Sequence, residues 1–439
     1  MQFNTSIQIS SGISKILPFR SFWSLSGAGF RPHKFVLFIL SFCFLTIAQA
    51  QDLNYAKKIV KKLSSAEFHG RGYVKNGDAK AAAFLRTEMQ ELGVAPLVKN
   101  YFQDYIFPVN VFPKRTDLLI NNKLLKPGFD FCIKPNSPSI SGKFDLVKMD
   151  TAAFYASGSF GNKFALLDTA GWGKQWQKFV QHNKRALPYK GIVQVTYKTP
   201  STAVSMTQGI TVTLYVYHKA IPENPTSISL NIETTNVVHK ASNVLGTVKG
   251  EIDTFVVFTA HYDHLGGMGK KVYFPGANDN ASGTAMVLNL AKELAKTGSN
   301  KYSYAFMLFS GEEAGLLGSE YYTLNPAFPL NKIKMVINLD MVGTGADGIS
   351  VFNATANPKE FAAMDSLNKT LGLNLSLKAK SPSQGSDHFS FHKRGVKALF
   401  VLTEDKNAPY HTVTDTFESL SFEAYERLYK LINAYIKSL

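Results

Sequence analysis

The stretch GANDNASG, residues 276–283, holds one acid, Asp279, between two asparagines on a glycine-flanked turn ahead of an apolar run from Thr284 to Leu294. Alone it could merely cap a helix. Similar chemistry recurs along the chain in AHYDH (260–264), SGEEAG (310–315), NLDMVG (338–343) and YHTVTD (410–415). Each of these offers a carboxylate or an imidazole just after an apolar run or at the entry to a helix. Acids and histidines converging from several elements are what a hard or borderline cation needs. With His261, Asp279, Glu313, Asp340 and His411 as donors, one tetrahedral zinc is oversupplied. Two ions sharing one carboxylate would instead receive three protein donors each. Asp279, with both oxygens free on its tight turn, is the expected bridge between ions about 3.5–4 Å apart. Glu312, beside a ligand, suits a general base that takes a proton from water and hands it to the leaving group.

These residues must be positioned by the runs that precede them. TFVVFTAHYD, YSYAFMLFS, IKMVINLDMV and VKALFVL are mostly apolar, as strands buried on both faces of a sheet are, and helical patterns lie between them. The expected catalytic part, residues 237–439, is a three-layer α/β/α domain with a mixed, mostly parallel sheet, whose sites form where strands end. Ahead of it, Leu53, Ala56, Ile59, Val60 and Leu63 recur at helical spacing, and a second helical pattern runs from Asp78 to Leu92 before Gly93. Residues 51–104 are thus two helices joined by HGRG. Residues 105–236 change to short alternating runs such as KFALLD, GIVQVTY and SISLNIE, a β-rich insert. Its histidines, His182 and His218, and His239 just beyond it, are isolated and read as structural.

Taken in order, AHYDHLG, GANDNASGTAMVL, FSGEEAGLLGS, INLDMVG, SDHFSF and YHTVTDT resemble the successive signatures of metallopeptidase family 28, the di-zinc aminopeptidases of bacterial leucyl aminopeptidase type. The resemblance implies two Zn2+ per chain, with Asp279 as bridge, His261 and Glu313 or Asp340 as terminal ligands on the two ions, His411 completing the set, and Glu312 as base. It further implies that Asp263 orients the His261 imidazole and that Tyr410 stabilises a tetrahedral oxyanion. His264, His388 and His392 are read as structural, with His388 supporting the substrate pocket. More loosely, GNKFALLDTAGW in the insert resembles a protease-associated module.

Function follows as an expectation: an exopeptidase taking N-terminal residues from peptides by means of a water activated between two metals. A carboxypeptidase or dipeptidase of the same family, a single-zinc glutaminyl cyclase and a non-enzymatic receptor ectodomain are the alternatives. A complete donor set disfavours the last two. The net charge of +16 is spread in pairs such as Lys57-Lys58 and Lys270-Lys271 without a basic stripe, so no nucleic-acid partner is expected. Residues 1–50 carry Lys15, Arg20, Arg31 and Lys34, no acid, an apolar run from Phe35 to Ile47 and then Ala48-Gln49-Ala50. That is the pattern of a signal peptide cleaved before Gln51. A periplasmic or extracellular protein without a lasting membrane anchor follows, in which only Cys132 remains and no internal disulfide can form.

Overall fold

The computed structural model describes residues 53–150, 160–175, 177–178, 189–297 and 300–439. The expected leader over 1–50 and His182 lie outside them. Residues Gln51–Leu439 form one compact unit.

The apolar runs build a large sheet from β1 (Phe102–Val111), β2 (Thr235–Val248), β3 (Ile252–His261), β4 (Tyr302–Phe309), β5 (Ile333–Leu339), β6 (Gly348–Phe352), β7 (Leu377–Ala379) and β8 (Ala398–Glu404). The order is β2-β4-β3-β5-β8-β6-β7, with β1 and the short strand Ala95–Pro96 on β2. The pairs β4-β3, β3-β5 and β5-β8 are parallel, while β2-β4 and β6-β8 are antiparallel. The sheet is therefore mixed and mostly parallel at its centre, as the apolar runs imply.

Alternation along β3 assigns its side chains to two opposite layers. Val256, Phe258 and Ala260 share a core with helices α1 (53–63), α2 (Gly77–Glu91), α3 (Gly283–Lys296) and α7 (Tyr425–Lys437). Phe255 and Val257 face the other way, where Tyr322 of α4 (Leu317–Leu324) and Phe391 of α6 (His388–His392) cover them. Helix α5 (Pro358–Thr370) lies against α7. This is the expected three-layer arrangement.

A second, eight-stranded sheet runs from Thr116 to Ile232 and has its own core, including Leu118, Phe164, Val193 and Leu230. Four of its strands, Ile140–Met149, Phe160–Leu167, Tyr189–Thr196 and Val212–Tyr217, pair in parallel. Strand β1 pairs with β2 along its whole length, from Val244↔Phe102 to Thr235↔Val111. The chain therefore enters and leaves the second sheet along two adjacent strands of the first.

Register sets the height of the site residues. In the β3-β4 pair, His261 is opposite Phe309, so the loop carrying Glu312 and Glu313 starts at the level of His261. In the β3-β5 pair, Thr259 is opposite Asn338, so Asp340, two residues on, reaches that same edge. A buried hydrogen bond of 2.6 Å from the Thr259 hydroxyl to Asn338 Oδ1 fixes this register with side chains.

Candidate metal centre

Asp279 sits in the turn Ala277–Ser282, between the left-handed Gly276 (φ 59°) and the start of α3. The two asparagines beside it are structural stitches. Asn280 Oδ1 accepts the Gly283 and Met341 N–H groups, and its amide nitrogen donates to Leu339 O at 2.9 Å. Asn278 Oδ1 accepts the Gly343 N–H at 2.9 Å. The turn is thereby tied to the loop after β5. Asp415 accepts the backbone N–H groups of Asn278 and Asp279, at 2.9 and 3.1 Å, which holds the Asp279 main chain and leaves its carboxylate free.

The two carboxylate oxygens of Asp279 then face different partners. Oδ1 is 3.3 Å from His261 Nε2, which is itself 3.3 Å from Asp340 Oδ1. Oδ2 is 3.2 Å from His411 Nε2, which is 3.1 Å from Glu313 Oε2. His264 Nδ1 approaches the same two acids from elsewhere, 2.7 Å from Glu313 Oε1 and 3.9 Å from Asp279 Oδ2. Asp279 is thus shared by two groups of donors able to hold an ion, His261–Asp279–Asp340 and His264–Asp279–Glu313.

The donor chemistry fits two divalent cations. Buried carboxylates this close repel one another unless a positive charge lies between them. Without a metal, protons supply that charge. The His411 imidazole, which burial alone would push down, is raised to about 11, mainly by Glu313 and Asp279. Burial and Asp279 push Glu313 upward, but His411 and His264 outweigh them and hold it at about 2. Glu312 lies 4.0 Å from His261 Nε2 and behaves oppositely. Burial first, and then the charges of Asp340 and Glu313, raise its carboxyl well above the usual range against the pull of His261.

Asp263 is fully buried below this group. Its backbone carbonyl is 3.1 Å from His261 Nδ1 and its carboxylate 3.7 Å away. The same carboxylate accepts the backbone N–H groups of Glu312 and Glu313 at 3.3 and 3.4 Å, and the Tyr73 hydroxyl at 2.6 Å. It therefore couples the position of His261 to that of both glutamates. Tyr410 stacks on His411, ring centroids 3.9 Å apart, and is 55% exposed. Ser386 donates to Asp340 Oδ2 at 2.6 Å, turning Oδ1 toward His261.

Residues singled out from the sequence thus meet in one place, and four others join them that spacing did not single out. His264, read from sequence as structural, faces the second donor group. Tyr73 anchors Asp263, and Asp415, within the quoted YHTVTD, holds the Asp279 turn. Arg71 of HGRG is fully buried and donates to the carbonyls of Tyr262, Leu63, Pro275, Gly276 and Asp279 at 2.6–3.2 Å. A glycine-flanked arginine between two helices was the one available signal for it. His388 is buried with its ring tilted on Phe400, 5.1 Å between centroids, outside both donor groups and behind a ring that lines the cavity. His239 pairs with Asp78 at 2.6 Å and packs on Tyr73.

Above the donors opens a cavity of about 260 Å3, lined on one side by His261, Asp279, Glu312, Asp340 and His411 and on the other by Met341, Phe352, Phe400 and Leu402. The Phe352 and Phe400 rings stack at 5.0 Å, giving that wall a flat apolar surface.

Residues 243–436 match the model of peptidase family M28. Aminopeptidase YwaD of Bacillus subtilis (strain 168) is 33% identical over 187 residues, covering 41% of this chain and 40% of that protein. Aminopeptidase Y of Saccharomyces cerevisiae is 31% identical over 213 residues, covering 44% of this chain and 38% of that protein. The chain spans about half the length, or less, of the curated relatives it matches. Among solved structures, BSAP, a zinc aminopeptidase from Bacillus subtilis, superposes with a TM-score of 0.67 at 22% identity, covering 88% of this chain and 94% of that one. A peptidase M28 precursor from Shewanella amazonensis gives a TM-score of 0.62 at 18% identity over 90% of this chain and 96% of its own. The fold, second sheet included, is therefore shared with proteins of this kind.

Proposed function

We propose, from the premise that residues 243–436 belong to peptidase family M28, that the protein is a two-zinc aminopeptidase releasing apolar residues from the N-termini of peptides. The observation that carries this reading is the division of Asp279, one oxygen toward His261 and Asp340, the other toward His411 and Glu313. Bound there, two zinc ions would polarise the scissile carbonyl and acidify a water between them.

The chain's own groups supply the rest. Glu312 stands at the edge of the first donor group, where burial and then the charges of Asp340 and Glu313 raise its carboxyl above the usual range, toward the proton-carrying form a general base passes through. Asp263 keeps the His261 ring oriented and the Glu312–Glu313 backbone in place. Tyr410, which lines the cavity, would donate its hydroxyl to the oxyanion that forms from the scissile carbonyl.

The choice of chain end rests on charge. A carboxypeptidase holds the substrate carboxylate with a cation, most often an arginine fork. The two arginines beyond Asn236 are both engaged elsewhere: Arg394 forms a fork with Glu320 at 2.8 and 3.1 Å, and Arg427 donates to the carbonyls of Leu373, Asn374 and Glu423. A free ammonium, in contrast, meets a cavity lined by the side chains of three acids, Asp279, Glu312 and Asp340. The apolar wall of Met341, Phe352, Phe400 and Leu402 suits a leucine, methionine or phenylalanine side chain. Aminoacyl anilides should therefore be cleaved in the order leucine, methionine or phenylalanine well above lysine or glutamate, and N-acetylation should abolish turnover. Release of C-terminal residues from an N-blocked peptide would reverse the assignment of chain end.

Export belongs to the same proposal. It is supported by the basic, then apolar, then small-residue order of residues 1–50. No described helix is long and apolar enough to cross a membrane. Mass spectrometry of the protein outside the cytoplasm should find a chain starting at Gln51; a membrane-bound chain retaining Phe35 to Ile47 would contradict it.

A further inference from the structure

We propose that His264 is a fourth protein ligand of the second ion, so that the two metals are unequal: one is enclosed by protein and tightly held, the other is open and exchangeable beside Glu312. This rests on the two-metal reading above and goes further by assigning different work to the two ions.

The geometry at the second group is that of a closed shell. Two carboxylates, Asp279 and Glu313, are approached by two imidazoles: His411 Nε2 at 3.2 and 3.1 Å, and His264 Nδ1 at 3.9 and 2.7 Å. Donors around a tetrahedral zinc with bonds of about 2.0 Å lie about 3.3 Å from one another; the two His411 separations fall near that value, and those of His264, 2.7 Å to Glu313 Oε1 and 3.9 Å to Asp279 Oδ2, lie on either side of it. The two rings are inclined at 69° with centroids 5.8 Å apart, as rings converging on one point from different elements are.

His264 is also held as a ligand must be. The residue is fully buried, and its backbone N–H donates to Arg71 O at 3.3 Å. Its ring lies over Gly276, where an added Cβ would come within 2.4 Å of Cδ2. The side chain is thus fixed from behind by the segment that shapes the Asp279 turn. Its Nε2 is buried without a partner, so Nδ1, aimed at the two acids, is the only nitrogen of the ring with an occupation.

The first group differs in kind. Its protein donors are His261, Asp279 and Asp340, with the second oxygen of Asp340 taken by Ser386. Glu312, 4.0 Å from His261 Nε2, borders the cavity on that side. Three protein donors and an open position mark a catalytic zinc, four a structural one. The structure thus assigns an anchoring role to the ion at His264 and His411, and water and substrate to the ion at His261.

The test uses the mature chain stripped of metal and titrated with Co2+, with Zn2+ competition against a chromophoric chelator giving the affinities. Two classes of site should appear, and X-ray absorption at one equivalent of Co2+ should count two imidazoles, those of His264 and His411. His264→Ala and His264→Asn should both weaken the tight class by more than the about 10–100-fold that losing an outer partner costs, leaving the weaker class intact. Asparagine can still donate a hydrogen bond to Glu313. Recovery of the tight class in His264→Asn, or a single imidazole on the first Co2+, would show that His264 only hydrogen-bonds Glu313 and would overturn the proposal. Should the variants fail to fold, the imidazole count on the unaltered protein still decides. An unaltered protein that binds fewer than two ions would remove the two-metal reading, and this proposal with it; two ions with one imidazole on the first would remove this proposal alone.

Discussion

Glu312 and Glu313 are adjacent, chemically identical and both close to His261 or His411, yet their surroundings separate them. Glu313 is held ionised at about 2 by two imidazoles, the state a ligand requires, whereas burial and neighbouring acids raise Glu312 toward the proton-carrying form of a base. Glu312→Gln should therefore retain two zincs while kcat falls about 10²–10⁴-fold. Asp279→Asn should lose metal, because an amide cannot serve two cations. Elemental analysis of both variants beside their kinetics checks this; a Glu312→Gln protein short of an ion would mean the roles of the two glutamates are exchanged. Tyr73→Phe removes the hydroxyl donated to Asp263 and nothing else from the site. It should lower metal affinity about 10-fold or more with little change in thermal stability, read by chelator competition and calorimetry.

At the scale of elements, the site depends on how an N-terminal segment grips loops of the catalytic sheet. Arg71 loses all its water on folding, and burial lowers its pKa to about 10 even with Asp415 and Asp279 favouring the charge. Its five carbonyl contacts join the end of α1, the residue after β3, and the Pro275–Asp279 turn. Arg71→Met strands several of those carbonyls in the interior, each costing about 1–3 kcal/mol. A loss of at least about 3 kcal/mol is expected in urea unfolding. The Gly276 position is similarly unforgiving. Its φ of 59° disfavours other residues, and an added Cβ would lie 2.3–2.6 Å from Asp279 O, His264 and Arg71. Gly276→Ala should therefore weaken zinc binding as well as stability, whereas Arg71→Met refolded with excess zinc should recover part of its stability through linkage. Normal zinc affinity in Gly276→Ala would show that the turn does not set the site.

For the whole molecule, the metal-free and metal-bound proteins should differ in their response to pH. His411 is raised in the folded state, so its contribution is complete below its unfolded value of about 6.5 and is lost as pH rises through about 11. Glu313 is depressed, so its contribution is complete above its unfolded value of about 4.3 and is lost as pH falls through about 2. The metal-free protein is accordingly most stabilised by this pair between about pH 4.3 and 6.5. Zinc must displace the His411 proton, so binding at pH 7 should release protons and tighten as pH rises. Calorimetry in buffers of different ionisation enthalpy measures that release, and a buffer-independent heat would show that His411 is not protonated before metal binds.

Most of the candidate donors are legible in order along the sequence, because they lie within a residue or a few of a strand end or helix start: His261 closing β3, Asp340 following β5, and Glu312 and Glu313 just past β4, whereas His411 stands in a loop well beyond the end of β8. Apolar runs and turns are local signals, so they place such residues on one edge of the sheet without any knowledge of contacts. It also conveyed that Asp279 stands on a turn with a free carboxylate. Which oxygen of Asp279 faces which partner, that His264 turns toward Glu313, and that Tyr73 and Arg71 reach Asp263 and Tyr262 across 190 and 191 residues of chain are consequences of folding. Likewise, β1 reads as part of the β-rich stretch by its alternation, yet its hydrogen bonds go to β2 of the large sheet. Periodicity reports which face of a strand is apolar. It carries nothing about which backbone will lie alongside, and a buried polar side chain takes its role from the partner that folding brings to it.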